Sequence, residues 1–109
     1  MVAVVKISSH IDFTLTRESG NHMYKIIREF LDKNPQFKKL IIDFENVRDV
    51  SVSFIQSTVV KLVNEQIDVE LINYNPSIRF KIATLVKITD VDPKIFKKAD
   101  QYPPAPYFV

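Results

Sequence analysis

The sequence predicts an α/β fold, one domain with a mixed sheet of about four strands. Three observations carry this. Short β-branched or alternating runs recur at residues 2–8, 12–16, 38–44 and 68–74. Segments with a 3.6-residue apolar period lie between the last three runs and beyond them. At 109 residues the chain can bury one core but not two.

The elements follow in order. Residues 2–8 are apolar and β-branched, a first strand. Residues 12–16 (DFTLT) alternate and read as a short second strand after a turn at 9–11. The clearest helix follows, with Met23, Ile26, Ile27, Phe30 and Leu31 on one face. Opposite charges four residues apart (Lys25/Glu29, Arg28/Asp32, Glu29/Lys33) lie outside. Asn34-Pro35 ends it, because the residue before a proline is pushed out of helical geometry.

Residues 38–44 (KKLIIDF) are continuously apolar at their centre, which predicts a central strand covered on both faces. A second helix is expected over 52–66, with an apolar stripe of Ile55, Val59, Leu62 and Val63. Residues 68–74 (DVELINY) alternate as a further strand. Asn75-Pro76 reads as a cap followed by proline at the first helical position. The third helix then uses Ile78, Ile82, Leu85 and Val86, or a stripe rotated to include Phe80 and Ala83. Pro93 is expected to start a last short helix with Ile95 and Phe96. The order is β-β-α-β-α-β-α-α, with right-handed crossovers for parallel pairs.

The domain is expected over 1–101, with 102–109 (YPPAPYFV) as a separate extended, polyproline-like tail. Its aromatics, Tyr102, Tyr107 and Phe108, need cover. Packing on their own domain is the plainer reading; crossing to a neighbouring copy, which would build a homo-oligomer, is the sharper one.

Composition excludes several functions. With 46% hydrophobic and 26% charged residues, the chain reads as an ordinary soluble globular protein. A net charge of +2 is too small to argue for nucleic acid or an anionic membrane. The absence of cysteine removes disulfides, thiolate nucleophiles and thiolate metal sites. No apolar run approaches the ~20 residues that span a bilayer. The N-terminus has no signal-peptide core, so the cytoplasm is the expected compartment. Gly20 is the only glycine, which excludes the dinucleotide fingerprint and the P-loop and leaves no cofactor expected.

The stretch VRDVSVSFIQSTVVKLV (47–63) carries two serines at a helix start. With Ser51 as cap, Val50 and Ile55 form a hydrophobic staple. With Ser53 as cap, Gln56 completes a capping box. The staple register is preferred, because the first turn must meet the core. It leaves Ser53 in the first turn with a free hydroxyl. The plain alternative is that both serines only start the helix.

Residues LIIDFENVRDVSVSF resemble the strand–loop–helix of STAS-type domains, the fold of bacterial anti-sigma-factor antagonists. A bacterial group called STAS-like domains, mostly uncharacterised, is closer still. Thr16-Arg17-Glu18, Ile42-Asp43-Phe44, Val47 and Ser51-Val52-Ser53-Phe54 all fit its pattern, and the similarity covers roughly residues 10–90. The resemblance implies helices packed mainly on one face of the sheet. It also implies a non-enzymatic, regulatory protein-interaction role, with Ser53 where the family's phosphorylatable serine sits and Ser51 beside it. Here Ser51 replaces the acid before the family's serine pair and Phe54 the glycine after it. The partner implied is a protein, such as a histidine-kinase-like ATP-binding regulator. The surface implied comprises Glu45, Asp49, Ser51, Ser53, Phe54, Gln56, Ser57, Asn73 and Asn75, with Phe54 as an exposed hydrophobic anchor.

Other groups carry rival readings. Asp43, Glu45 and Asp49 lie at the carboxyl end of the central strand, where open α/β sheets bind ligands; they could hold Mg²⁺ weakly, but solvated loop carboxylates are the plainer reading. His10 or His22 could serve Ser19 or Ser53 as a base, but no triad order or oxyanion glycine supports catalysis. Arg79, Lys81, Lys87, Lys94, Lys97 and Lys98, against Asp90 and Asp92, make the last third basic. A nucleic-acid face there lacks a recognition motif, so a solvated helix face is preferred.

Overall fold

The computed structural model describes residues 1–89 and 102–109, with side chains through Leu85 and again from Tyr102. The first apolar run forms strand β1, Val2–Lys6, and ends in a 3₁₀ turn over Ile7–Ser9. Helix α1, Arg17–Lys33, begins at Thr16, whose hydroxyl accepts from the Ser19 N–H at 3.0 Å. The Ser19 hydroxyl answers from the other side, so the two short side chains satisfy donors that a helix start leaves unpaired. Strand β2, Lys39–Asp43, follows.

The second helix runs without a break from Val52 to Asn64. It comprises α2, Val52–Ile55, one π turn, Gln56–Val60, and α3, Lys61–Asn64. The Ser57 and Thr58 hydroxyls bond the carbonyls of Ser53 (2.9 Å) and Phe54 (2.7 Å), where the widened turn alters the usual ladder. Strand β3 is Asp68–Ile72 and helix α4 is Pro76–Thr89. The Asn75 side chain caps α4, accepting from the Ile78 N–H at 2.9 Å, as its sequence predicts. Strand β4, Tyr107–Phe108, comes from the tail.

The sheet order is β3-β2-β1-β4 and every pair is parallel. This corrects the expected mixed sheet. The second strand expected at 12–16 does not form. Its alternation is real but inverted: Thr14 is buried, whereas Phe13 and Leu15 are exposed. Thr14 donates to the Asp49 carbonyl at 2.5 Å and accepts the Ser51 N–H at 3.0 Å, so the segment is stitched to the next loop instead of to a ladder. The fourth strand is β4, which pairs Ala3 with Tyr107 and Val4 with Phe108.

All the helices bury their apolar residues in one cluster with one face of the sheet. Met23, Ile27 and Leu31 of α1, Phe54, Ile55, Val59 and Leu62 of the second helix, and Ile78, Ile82 and Leu85 of α4 meet Ala3, Val5, Leu40, Ile42, Val69 and Leu71. Phe80 is 74% exposed, which decides between the two registers read for this helix. On the opposite face Val4, Ile41 and Ile72 form a smaller buried cluster. The last helix expected from Pro93 lies outside the described residues.

At Gly20, α1 packs directly on the second helix. A Cβ there would stand 1.9 Å from the Ser57 hydroxyl oxygen and 2.7 Å from the Phe54 carbonyl oxygen. The Gly20 carbonyl also accepts from the Thr58 hydroxyl at 3.2 Å. The only glycine of the chain thus sets how near the two helices lie.

Candidate functional site

Strand β2 delivers Asp43 to the carboxyl edge of the sheet. The chain then turns at Phe44–Val47, with Asn46 left-handed (φ 66°), and reaches the second helix at Ser51. A left-handed residue is tolerated best by asparagine or glycine, and asparagine supplies it here.

The staple register is the one adopted. Ser51 accepts from the Phe54 N–H at 2.9 Å, while Val50 and Ile55 are both buried in the core. Ser53 falls in the first helical turn and is half-buried, and among the described residues its hydroxyl has no hydrogen-bond partner. Arg17, at the start of α1, lies beside it. The Ser57 hydroxyl touches both backbones, at 3.2 Å from the Arg17 carbonyl and 2.9 Å from the Ser53 carbonyl. The Arg17 guanidinium donates to the Gln56 side-chain oxygen at 3.0 Å, one helical turn beyond Ser53. That partner is neutral, and among the described residues the guanidinium forms no ion pair.

Two residues expected at the surface are internal. Phe54 has no exposed area, because its ring belongs to the core, and it cannot anchor a partner. Ser57 is 4% exposed and spends its hydroxyl on the Arg17, Ser53 and Phe54 carbonyls. The exposed apolar side chains here are Phe13, Leu15 and Val52. They flank the Thr14–Ser51 stitch, and a groove of about 330 Å³ lies between Phe13, Leu15, Val47 and Arg48.

The three carboxylates do not converge. Asp43 is fully buried, which corrects its reading as a solvated loop acid. It accepts from the Glu45 N–H (2.8 Å), the Asn73 amide (2.9 Å) and the Tyr102 hydroxyl (2.5 Å). The carboxylate and partial burial push the Tyr102 phenol above its ordinary value. Glu45 pairs with Lys6 at 2.9 Å, and this bond pushes the lysine up. Asp49 accepts from Lys81 at 2.7 Å and from the Val50 N–H at 2.9 Å, and both hold its carboxyl below the ordinary range. Among the described residues no cluster of three potential metal ligands forms.

Asn73 and Asn75 serve the framework. Asn73 steadies Asp43, and Asn75 both caps α4 and donates to the Arg48 carbonyl at 2.7 Å. Among the described residues neither histidine is hydrogen-bonded to a serine: His10 donates from Nε2 to the Val109 carbonyl at 2.8 Å, and the Ser19 hydroxyl belongs to the α1 cap. Of the basic third, Lys81 is paired with Asp49, while Lys94, Lys97 and Lys98 lie outside the described residues. Among the described residues no helix is long and apolar enough to cross a membrane.

No protein-family model matches the chain, and neither a curated protein nor a solved structure matches it.

Proposed function

We propose that this chain is a cytoplasmic regulatory protein-interaction module of STAS-like type, without enzymatic activity, switched by phosphorylation of Ser53. The observation that supports this reading is an unpartnered first-turn hydroxyl beside the Arg17 guanidinium, which forms no ion pair among the described residues. A phosphate on Ser53 would meet the partial positive charge of a helix start, and Arg17 could take it as a charge-assisted partner. The domain would therefore tolerate the modification.

A docked partner would not. The phosphate adds about −1.5 to −2 charges to the docking surface, and a partner bound there would face uncompensated charge and a desolvation cost. Leu15 and Val52, on either side of the Thr14–Ser51 stitch, supply the apolar contact expected of Phe54. Glu45, Asp49 and Gln56 form the polar border. The resemblance supplies the class of partner, an ATP-binding regulator of histidine-kinase type.

The test is affinity co-purification from lysate of the source cells with wild type, Ser53→Ala and Ser53→Asp. A protein retained by wild type and Ser53→Ala but lost with Ser53→Asp is the expected result. Identical proteins on all three baits would sink the switch.

A further inference from the structure

The loops that follow β1 and β2 meet at the carboxyl edge of the sheet, where open parallel sheets receive ligands. Their backbones are fixed to one another. The Thr14 hydroxyl donates to the Asp49 carbonyl at 2.5 Å, and the Ser51 N–H donates to the Thr14 carbonyl at 3.0 Å. The Asn75 amide holds the Arg48 carbonyl at 2.7 Å. The groove of about 330 Å³ between these loops is therefore a preformed concavity, of a size that suits a small molecule.

The side chains of its wall are not spent in the same way. Phe13 and Leu15 stay 54% and 49% exposed, beside the partly buried Ile11 and Val47. Three charged residues line the groove. Asp49 is neutralised by Lys81 at 2.7 Å. Asp12 and Arg48 are exposed, and among the described residues neither side chain forms a hydrogen bond or an ion pair. They do not pair with each other either, so the groove carries one free charge of each sign beside an apolar wall.

We propose that this groove binds a small zwitterion with an apolar body, the chemistry of a free α-amino acid with an apolar side chain. Arg48 takes the carboxylate, to which a guanidinium offers two parallel donors. Asp12 takes the ammonium group. The ligand's side chain lies on Phe13, Leu15 and Val47 and removes their exposed surface from water. Discrimination comes from the two opposite charges together. An anion without an ammonium group meets Asp12 as a like charge, and a cation without a carboxylate meets Arg48 in the same way. Val52 and Ser53 are not part of this wall, so the site does not rest on the proposed switch.

The experiment is a titration of the full chain with L-phenylalanine and with L-leucine, read by calorimetry and by amide resonances. Saturable binding of at least one of them, at millimolar concentration or below, is expected, with the largest shifts at residues 11–15 and 46–49. For whichever binds, the amine that lacks the carboxylate and the acid that lacks the amino group should each bind at least five-fold more weakly. Arg48→Gln and Asp12→Asn should each weaken binding by at least five-fold as well. Both side chains are exposed and unpartnered, so both variants should keep the wild-type urea midpoint. No saturable binding of either amino acid at ten millimolar overturns the proposal. So does an amine or acid that binds as tightly as the amino acid, or a folded variant that binds it as wild type does. The analogues need wild type alone, so they decide should a variant fail to fold.

Discussion

Two contacts hold this molecule together in opposite ways. Between α1 and the second helix, Gly20 lies against Ser57 and the Phe54 backbone with no room for a methyl group. Between β1 and the tail, two residues pair and their rings remain half in water. The first contact is close-packed, so small changes in volume are felt at once. The second is assembled from separate directional bonds, each replaceable by water. A contact of the first kind fixes the fold, and one of the second kind can open without unfolding it.

The largest effect should come from the packed side. Phe54→Ala removes a fully buried ring from the core and is expected to cost about 3–5 kcal/mol. Urea midpoints at a constant m-value measure it. A loss below about 1 kcal/mol would mean that the ring is not in the core. Gly20→Ala comes next. Overpacking of this kind costs about 1–3 kcal/mol, against roughly 1 kcal/mol gained from replacing glycine in a helix. The obstruction includes the Phe54 backbone, which cannot rotate away, so a net loss is expected. Adding Ser57→Gly should recover part of it, because the nearest atom is then gone. A fully additive double variant would show that the two residues do not meet.

How much of this was legible follows from where each signal resides. The Ser51 cap and the Asn75-Pro76 start are local chemistry, and both are adopted as read. The residue class at 12–16 was read correctly as alternating, but alternation does not say which set faces inward. Thr14 turns inward because its hydroxyl finds the Asp49 carbonyl, while its own backbone carbonyl accepts the Ser51 N–H. The resemblance puts Phe54 in the docking surface at the helix start, but the ring lies in the core. Its burial is tertiary: the ring joins a cluster drawn from several helices and one face of the sheet, which no local pattern announces. The bond between Asp43 and Tyr102 joins residues 59 positions apart and has no periodic signature at all. Strand β4 was missed for the same reason: a tail of prolines and aromatics carries no ladder pattern until β1 supplies the edge.

The two serines bring the comparison to a smaller scale. Ser51→Ala removes a helix cap and should cost about 0.5–2 kcal/mol. Ser53→Ala removes a hydroxyl without a partner and should leave the urea midpoint within about 0.5 kcal/mol of wild type. If Ser53→Ala were the more damaging, the hydroxyl would be structural and its role as a free acceptor of phosphate would fall.

The smallest effect belongs to the tail. Tyr102→Phe deletes one hydrogen bond at a half-exposed phenol and should cost about 0.5–1.5 kcal/mol. Its pH dependence identifies the bond. The Asp43 carboxylate raises the phenol above its ordinary value of 10.0, so the folded state holds the proton more tightly than the unfolded chain. The stabilisation is therefore complete below pH 10.0 and disappears as pH rises through the higher folded value. Wild type and Tyr102→Phe should differ in midpoint at pH 8 and converge at strongly alkaline pH, a comparison in which other groups that titrate there largely cancel. A difference that stays constant would mean that the ring's packing on Phe108, and not its hydroxyl, holds this end of the tail.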